Sequence, residues 1–140
     1  MNLERFVLAQ ESDYELALSE IKSGRKRSHW MWYIFPQIQG LGYSSMAQFY
    51  AIKDKEEAIA YLKHPILGKR LEEITEALLF LEENDIDRIM GYPDNIKLKS
   101  SMSLFYTVSI KEIFKQVLDK FFSGEFDEKT ISLLENKNRR

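Results

Sequence analysis

The residues best suited to chemistry lie in one short run that follows Gly24. Three cations, a hydroxyl and an imidazole occupy five successive positions: Arg25, Lys26, Arg27, Ser28 and His29. Arginine offers a planar fork that fits carboxylate or phosphate, and lysine adds a compact charge. Successive backbone N–H groups beside a glycine can also form an anion-binding nest. The run therefore indicates a site for a small anion, although a solvated basic turn at a helix end would have the same composition.

An aromatic run, residues 30–35, follows the basic turn directly. Rings beside cations can stack on a base or a sugar, or hold a cation over their faces. Because large rings more often belong to the core, we expect most of the run to be buried. One tryptophan at the edge of the core, Trp30 or Trp32, remains available to a ligand. Gln37, just beyond the run, is a further candidate ligand-binding residue.

A third group of candidates lies on a helix predicted over residues 94–107. At 100° per residue, Lys97, Ser100 and Ser101 form a face beside its apolar stripe. We expect this face to be a polar wall that faces the basic turn. The alternative is that the serines bond back to the preceding helical turn or allow close helix packing. Asp94, at the start of the helix, has the position of a cap.

Histidine is the natural general acid or base if the protein is catalytic, because its ordinary pKa lies near neutrality. His29 is the weak candidate for that role, and a structural histidine bonded to the backbone is the commoner alternative. His64 precedes Pro65 in a turn and is interpreted as structural. Neither histidine has a partner at ligand spacing, so no metal site and no cofactor are predicted. Phosphate-loop, dinucleotide and hydrolase-elbow motifs are absent.

The composition limits the classes of function. A chain of 140 residues without cysteine suits one domain that needs no disulfides, and it fits a reducing compartment. With no signal-peptide pattern and no long apolar run, we expect a cytoplasmic protein without a membrane partner. A net charge of −2 argues against a nucleic-acid partner. The oligomeric state stays open.

The elements that must position these residues are helices. Apolar residues recur at steps of three and four, as in the stripe Leu67, Leu71, Ile74, Leu78 and Leu81. The predicted class is all-α, a compact multihelical domain of eight or nine mostly short helices over residues 1–135, followed by a frayed tail at 136–140. The helices are predicted at 3–10, 13–23, 45–51, 54–63, 65–83, 85–90, 94–107, 110–122 and 127–136. Asp13, Asp54, Asp85 and Asp127 are predicted N-caps, and Gly24 a helix end. For residues 26–35, helix and strand both remain possible.

Several of these segments resemble an uncharacterised bacterial family, DUF1810. They are residues 24–37, 40–42, 64–71 and 97–102, and the likeness covers nearly the whole chain. The resemblance implies an all-helical domain, and it implies no activity or catalytic residue. Members are often labelled "calpastatin", the name of a disordered protease inhibitor that this composition does not match. Members usually have two acids where this chain has Asp94 and Asn95, so a paired carboxylate is not implied here.

Three functions fit these observations. The first is binding of a small anionic ligand, such as a nucleotide or sugar phosphate, through the basic turn and the Lys97 face. The second is an enzyme that hydrolyses such a ligand at a phosphoester or N-glycosidic bond, with His29 as acid or base. The third is a protein-interaction or oligomeric scaffold that uses the aromatic run as a hot spot. The first ranks highest because no water-activating carboxylate has an obvious partner.

Overall fold

The computed structural model describes the backbone of residues 2–138 and the side chains up to Asn136. Within those residues the secondary structure is helical and contains no strand, as predicted. The helices are α1 (Glu4–Lys22), α2 (Met31–Ile34), α3 (Ser45–Phe49), α4 (Lys55–Lys63), α5 (Leu67–Phe80), α6 (Ile86–Met90), α7 (Asp94–Ser109), α8 (Glu112–Phe122) and α9 (Glu128–Asn138). The predicted tail at 136–140 overlaps the last turn of α9, and Arg139 and Arg140 lie outside the described residues.

Helix α1 corrects one prediction. Residues 3–10 and 13–23 form one continuous helix, because a single buried stripe runs along its whole length. The buried residues of that stripe are Phe6, Gln10, Tyr14, Ala17, Leu18, Glu20 and Ile21. Asp13 is not a cap, since it lies inside the helix and its carboxylate accepts a hydrogen bond from the Tyr33 hydroxyl. The helix ends where predicted, before Gly24 at φ +86°.

Within residues 26–35, for which helix and strand were both possible, only Met31–Ile34 form a helical turn, α2. Residues 26–30 and Phe35 are neither helix nor strand. Beyond Phe35 the chain is fixed by an isolated parallel bridge between Ile38 and Ile52. The Gln39 amide donates to the Ile52 carbonyl, and the Ile52 amide donates to the Gln37 carbonyl, both at 2.8 Å. The backbone that follows the aromatic run is therefore tied to the segment before α4.

The junction between α4 and α5 is tightly built. Asp54 caps α4 as predicted, accepting from the Glu57 amide at 2.9 Å. His64 is structural, because its Nδ1 accepts from the amides of Ile66 at 3.1 Å and Leu67 at 3.3 Å at the start of α5. Gly68 is buried against the backbone of the α4 end.

Helix α7 is central to the packing and contacts α4, α6, α8 and α9. Its buried side includes Leu98, Met102, Leu104 and Phe105. Asp127 caps α9 as predicted, accepting from the Thr130 amide at 3.1 Å. The first turn of α7 lies beside the basic turn, and this proximity builds the candidate site.

Candidate functional site

The anion-binding nest predicted in the basic turn exists, and the protein's own Glu20 fills it. The backbone amides of Arg27 and Ser28 donate to Glu20 Oε1 at 2.8 and 3.0 Å. The Ser28 hydroxyl donates to Oε2 at 2.6 Å, and the Trp30 indole N–H donates to Oε1 at 2.9 Å. Ser28 and Trp30 therefore hold the loop to helix α1, which leaves them less free to contact a ligand.

The Glu20 carboxylate is stabilised in its charged form. Burial alone would raise its pKa, but the hydrogen bonds from the Ser28 side chain, the Arg27 amide and the Trp30 indole outweigh burial and lower the pKa to about 2. At neutral pH the loop is therefore closed over a permanent internal anion.

Lys26 and Lys97 meet at a single carboxylate. Lys26 Nζ lies 2.8 Å from Asp94 Oδ2, and Lys97 Nζ lies 3.8 Å from Asp94 Oδ1. Each ammonium group also lies over an indole ring, Lys26 at 4.7 Å from the Trp30 centroid and Lys97 at 5.4 Å from the Trp32 centroid. The structure thus brings the basic turn and the start of α7 together. Two ammonium groups share one carboxylate, so the cluster keeps an excess positive charge.

The two tryptophans differ in accessibility, as the sequence predicts. Trp30 is 0% exposed, whereas Trp32 is partly exposed at the edge of the core. Trp32 and Gln37 also line a small recess of about 30 Å³. The side chains of Lys97 and Asp94 are 27% and 20% exposed, so both remain accessible beside Trp32. We name Trp32, Asp94 and Lys97 together the Trp32 surface.

The two predicted serines of α7 lie elsewhere. The Ser100 hydroxyl donates to the Ile96 carbonyl at 3.3 Å and to Asp127 at 3.2 Å, at the junction with α9. Ser101 is 0% exposed, and its hydroxyl has no hydrogen-bond partner among the described residues. Neither hydroxyl is accessible beside Lys97, which fits the alternative of back-bonding and close packing.

The remaining residues of the basic turn point outward. Arg25, Arg27 and His29 are exposed, and no described residue forms an ion pair or hydrogen bond with their side chains. The His29 imidazole therefore has no group that orients it. Arg25 borders a shallow cleft of about 420 Å³ with Lys26, Arg88 and Gly91.

Sequence reasoning missed two residues of the site. Glu20 lies beside Ala17 and Ile21 on the buried stripe of α1. A charged residue on such a stripe predicts a buried carboxylate that needs hydrogen-bond donors, so the sequence could have indicated its role. Asp94 was interpreted as a cap, but no side-chain cap bond is formed at the start of α7. Its pairing with Lys26 joins residues 68 positions apart, and nothing local in the sequence indicates it.

The described part of the chain shows neither a candidate metal site nor a helix that could span a membrane. Residues 2–138 contain no group of three or more histidine, aspartate or glutamate side chains that could hold a metal ion. None of the helices in that range is long and apolar enough to cross a membrane.

Comparison with known proteins places the chain in a family. The profile of the family described as "protein of unknown function (DUF1810)" matches residues 1–134. The fold is similar to the crystal structure of the conserved hypothetical protein Rv1873 from Mycobacterium tuberculosis, with a TM-score of 0.93 and 44% identity. That match covers 95% of this chain and 96% of the other. No match was found among curated proteins. The chain is therefore a member of the DUF1810 family, with the all-helical fold of the mycobacterial protein.

Proposed function

We propose that the protein binds a small anionic, ring-containing ligand, such as a nucleotide or a sugar phosphate, at the Trp32 surface. The observation that carries the proposal is the excess positive charge beside an accessible indole. Asp94 compensates only one of the two ammonium groups that face it. A base or sugar ring would stack on Trp32, and Lys97 would bind the anionic group. Because the chain lacks cysteine, a reducing compartment such as the cytoplasm suits this role.

The polar groups around Trp32 could orient the ligand by hydrogen bonds, in addition to the attraction of its negative charge by Lys97. Gln37 borders the same recess as Trp32 and can donate or accept a hydrogen bond at a ring edge. Asp94 can accept from a sugar hydroxyl or an exocyclic amine. Binding sites of this kind combine an apolar face with a few convergent polar groups.

The test is a ligand screen on matched variants. The wild type, Lys97→Ala and Trp32→Ala are compared by thermal shift and calorimetry against AMP, glucose 6-phosphate and inorganic phosphate. A ligand at about 100 times its Kd adds about 2.7 kcal/mol, a shift of several degrees for a domain of this size. We expect Lys97→Ala to weaken binding by about tenfold or more, because a charge-assisted hydrogen bond is lost.

Lys99→Ala is the matched control, since it removes the same charge two residues along α7. Lys99 pairs with Glu125 at 3.6 Å, away from the Trp32 surface. A ligand whose affinity is unchanged in Lys97→Ala and Trp32→Ala contradicts the proposed location. A panel without any hit contradicts the proposal and favours a protein partner.

Asp94 favours one second candidate, hydrolysis of the same ligand. A carboxylate that is partly exposed and held by two lysines can orient a water molecule beside a ring stacked on Trp32. Asp94→Asn would then abolish turnover of a ligand that the variant still binds. Equal turnover by the wild type and Asp94→Asn would remove Asp94 from this role.

A further inference from the structure

Among the described residues, Arg25 and Arg27 are the arginines whose side chains have no ion-pair, hydrogen-bond or ring partner. The other three described arginines are engaged: Arg5 pairs with Glu57, Arg88 with Glu83 and Asp85, and Arg70 lies over the Tyr14 ring. Arg25 and Arg27 have no such partner within residues 2–138. Two exposed guanidinium groups therefore retain their full capacity for an external anion.

The backbone beneath these arginines is held firmly. The Arg25 amide donates to the Glu20 carbonyl at 3.1 Å, and the Arg27 amide donates to the Glu20 carboxylate at 2.8 Å. Between them, the Lys26 amide donates to the Ile89 carbonyl at 2.7 Å. A fixed backbone lowers the ordering cost of binding, because only the side chains must be immobilised.

Exposure alternates along this segment. Arg25 and Arg27 are exposed, while Lys26 between them points inward to Asp94. The two arginine Cα atoms are at most about 7 Å apart, since they are two residues apart. Both flexible side chains can therefore reach one multiply charged group. Lys26 and Asp94 connect this arginine pair to Lys97 and the Trp32 surface.

The acids near the arginine pair are bonded to other groups. The Glu20 carboxylate is turned inward and occupied by four hydrogen bonds. Asp87, which borders the cleft beside Arg25, accepts from the Asn95 amide at 2.5 Å. Asp94 is bound by two lysines. The carboxylates of Glu20 and Asp87 keep their negative charge, because their hydrogen-bond donors are neutral groups, but neither forms an ion pair with Arg25 or Arg27. Both guanidinium groups therefore stay free to bind an external anion, although the whole chain carries −2.

We infer that Arg25 and Arg27 form a second anion subsite, which selects ligands carrying a chain of two or more phosphates. The inference rests on the proposed function, since the ring of the same ligand lies on Trp32. Guanidinium forks bind phosphate oxygens in pairs, which suits a di- or triphosphate better than a single carboxylate. A small polyphosphate is favoured over a nucleic-acid strand because the protein is acidic overall, and strand binding depends on neutralising many phosphates.

The experiment compares affinities for AMP, ADP and ATP by calorimetry. The wild type is expected to bind ATP about tenfold or more tightly than AMP, as charge-assisted hydrogen bonds are added. In Arg25→Ala/Arg27→Ala this preference falls to about threefold or less, because the affinity for ATP falls more than the affinity for AMP. The double control Lys22→Ala/Lys53→Ala removes two exposed cations elsewhere and keeps the preference.

The outcomes separate the two proposals. AMP binding that depends on Lys97, with no preference for ATP, overturns the second subsite and leaves the proposed function intact. A preference that survives in the double arginine variant also overturns it. If none of the three nucleotides nor any sugar phosphate binds, the proposed function fails and the subsite with it. Tighter binding of a ten-nucleotide single strand than of ATP, with steep salt dependence, overturns the choice of a small polyphosphate.

Discussion

Replacement of Glu20 by alanine is expected to lower the free energy of unfolding by about 3–5 kcal/mol. The variant removes an acceptor of four hydrogen bonds and leaves the Trp30 indole N–H and two backbone amides without a partner. Glu20 is only 7% exposed, so water cannot easily replace the carboxylate. Urea denaturation at pH 7 measures the loss.

Glu11→Ala is the control, because Glu11 is exposed on the same helix. It is expected to change the free energy of unfolding by about 0.5 kcal/mol or less. Similar losses in the two variants would mean that the Glu20 carboxylate does not hold the loop.

The contribution of Glu20 should also depend on pH. Its pKa is about 2 in the folded protein, below the ordinary value of 4.5. A lowered pKa means that the folded state favours the charged form, so this stability is present above pH 4.5 and is lost as the pH falls towards 2. The difference in unfolding free energy between the wild type and Glu20→Gln should therefore narrow across that range. A difference independent of pH would contradict the lowered pKa.

Gly68→Ala is the second substitution with a large expected effect on the free energy of unfolding. The direction of the change is informative, because it is opposite to the usual one. Replacing glycine by alanine inside a helix ordinarily stabilises by about 1 kcal/mol. Here a Cβ would lie 2.0 Å from the Leu62 carbonyl oxygen and 2.8 Å from its carbon. These are backbone atoms of α4, so no side-chain rotation relieves the overlap. We expect a loss of about 3 kcal/mol or more.

Gly24→Ala separates steric overlap from backbone strain. A Cβ at Gly24 meets nothing within 4 Å, but φ is +86°. The expected cost is therefore about 1 kcal/mol, from conformation alone. Denaturation midpoints of both variants measure the contrast. A Gly68→Ala protein as stable as the wild type would show that α4 and α5 are not so close.

Much of the fold could be predicted because helices depend on local patterns. The apolar stripe of α5 and the caps Asp54 and Asp127 could be predicted from residues close to them in the sequence. The error in α1 arose because Asp13 has the residue type of a cap. Its actual partner, Tyr33, is distant in sequence, and local propensity does not include that contact.

The candidate site was predictable only in part, because several of its contacts join residues that are distant in the sequence. The burial of most of the aromatic run, with one tryptophan at its edge, follows from the size and apolar character of the rings. The meeting of the basic turn with the start of α7 was a hypothesis from residue types, and no local pattern required it. The roles of Glu20 and Asp94 depend on contacts across the fold. Ser100 has a polar partner on α9, and its position on α7 gave no indication of that helix.

The unequal environments of the chain's two tryptophans give the protein an internal optical reporter. Trp30 is fully enclosed, whereas Trp32 is partly exposed. Iodide should quench the fluorescence of Trp32 by collision and leave the emission of Trp30 unchanged in the folded state. A molecule that covers Trp32 would protect it from iodide, while exposure of Trp30 would signal unfolding. One unlabelled sample can thus distinguish occupancy of the surface from loss of the fold.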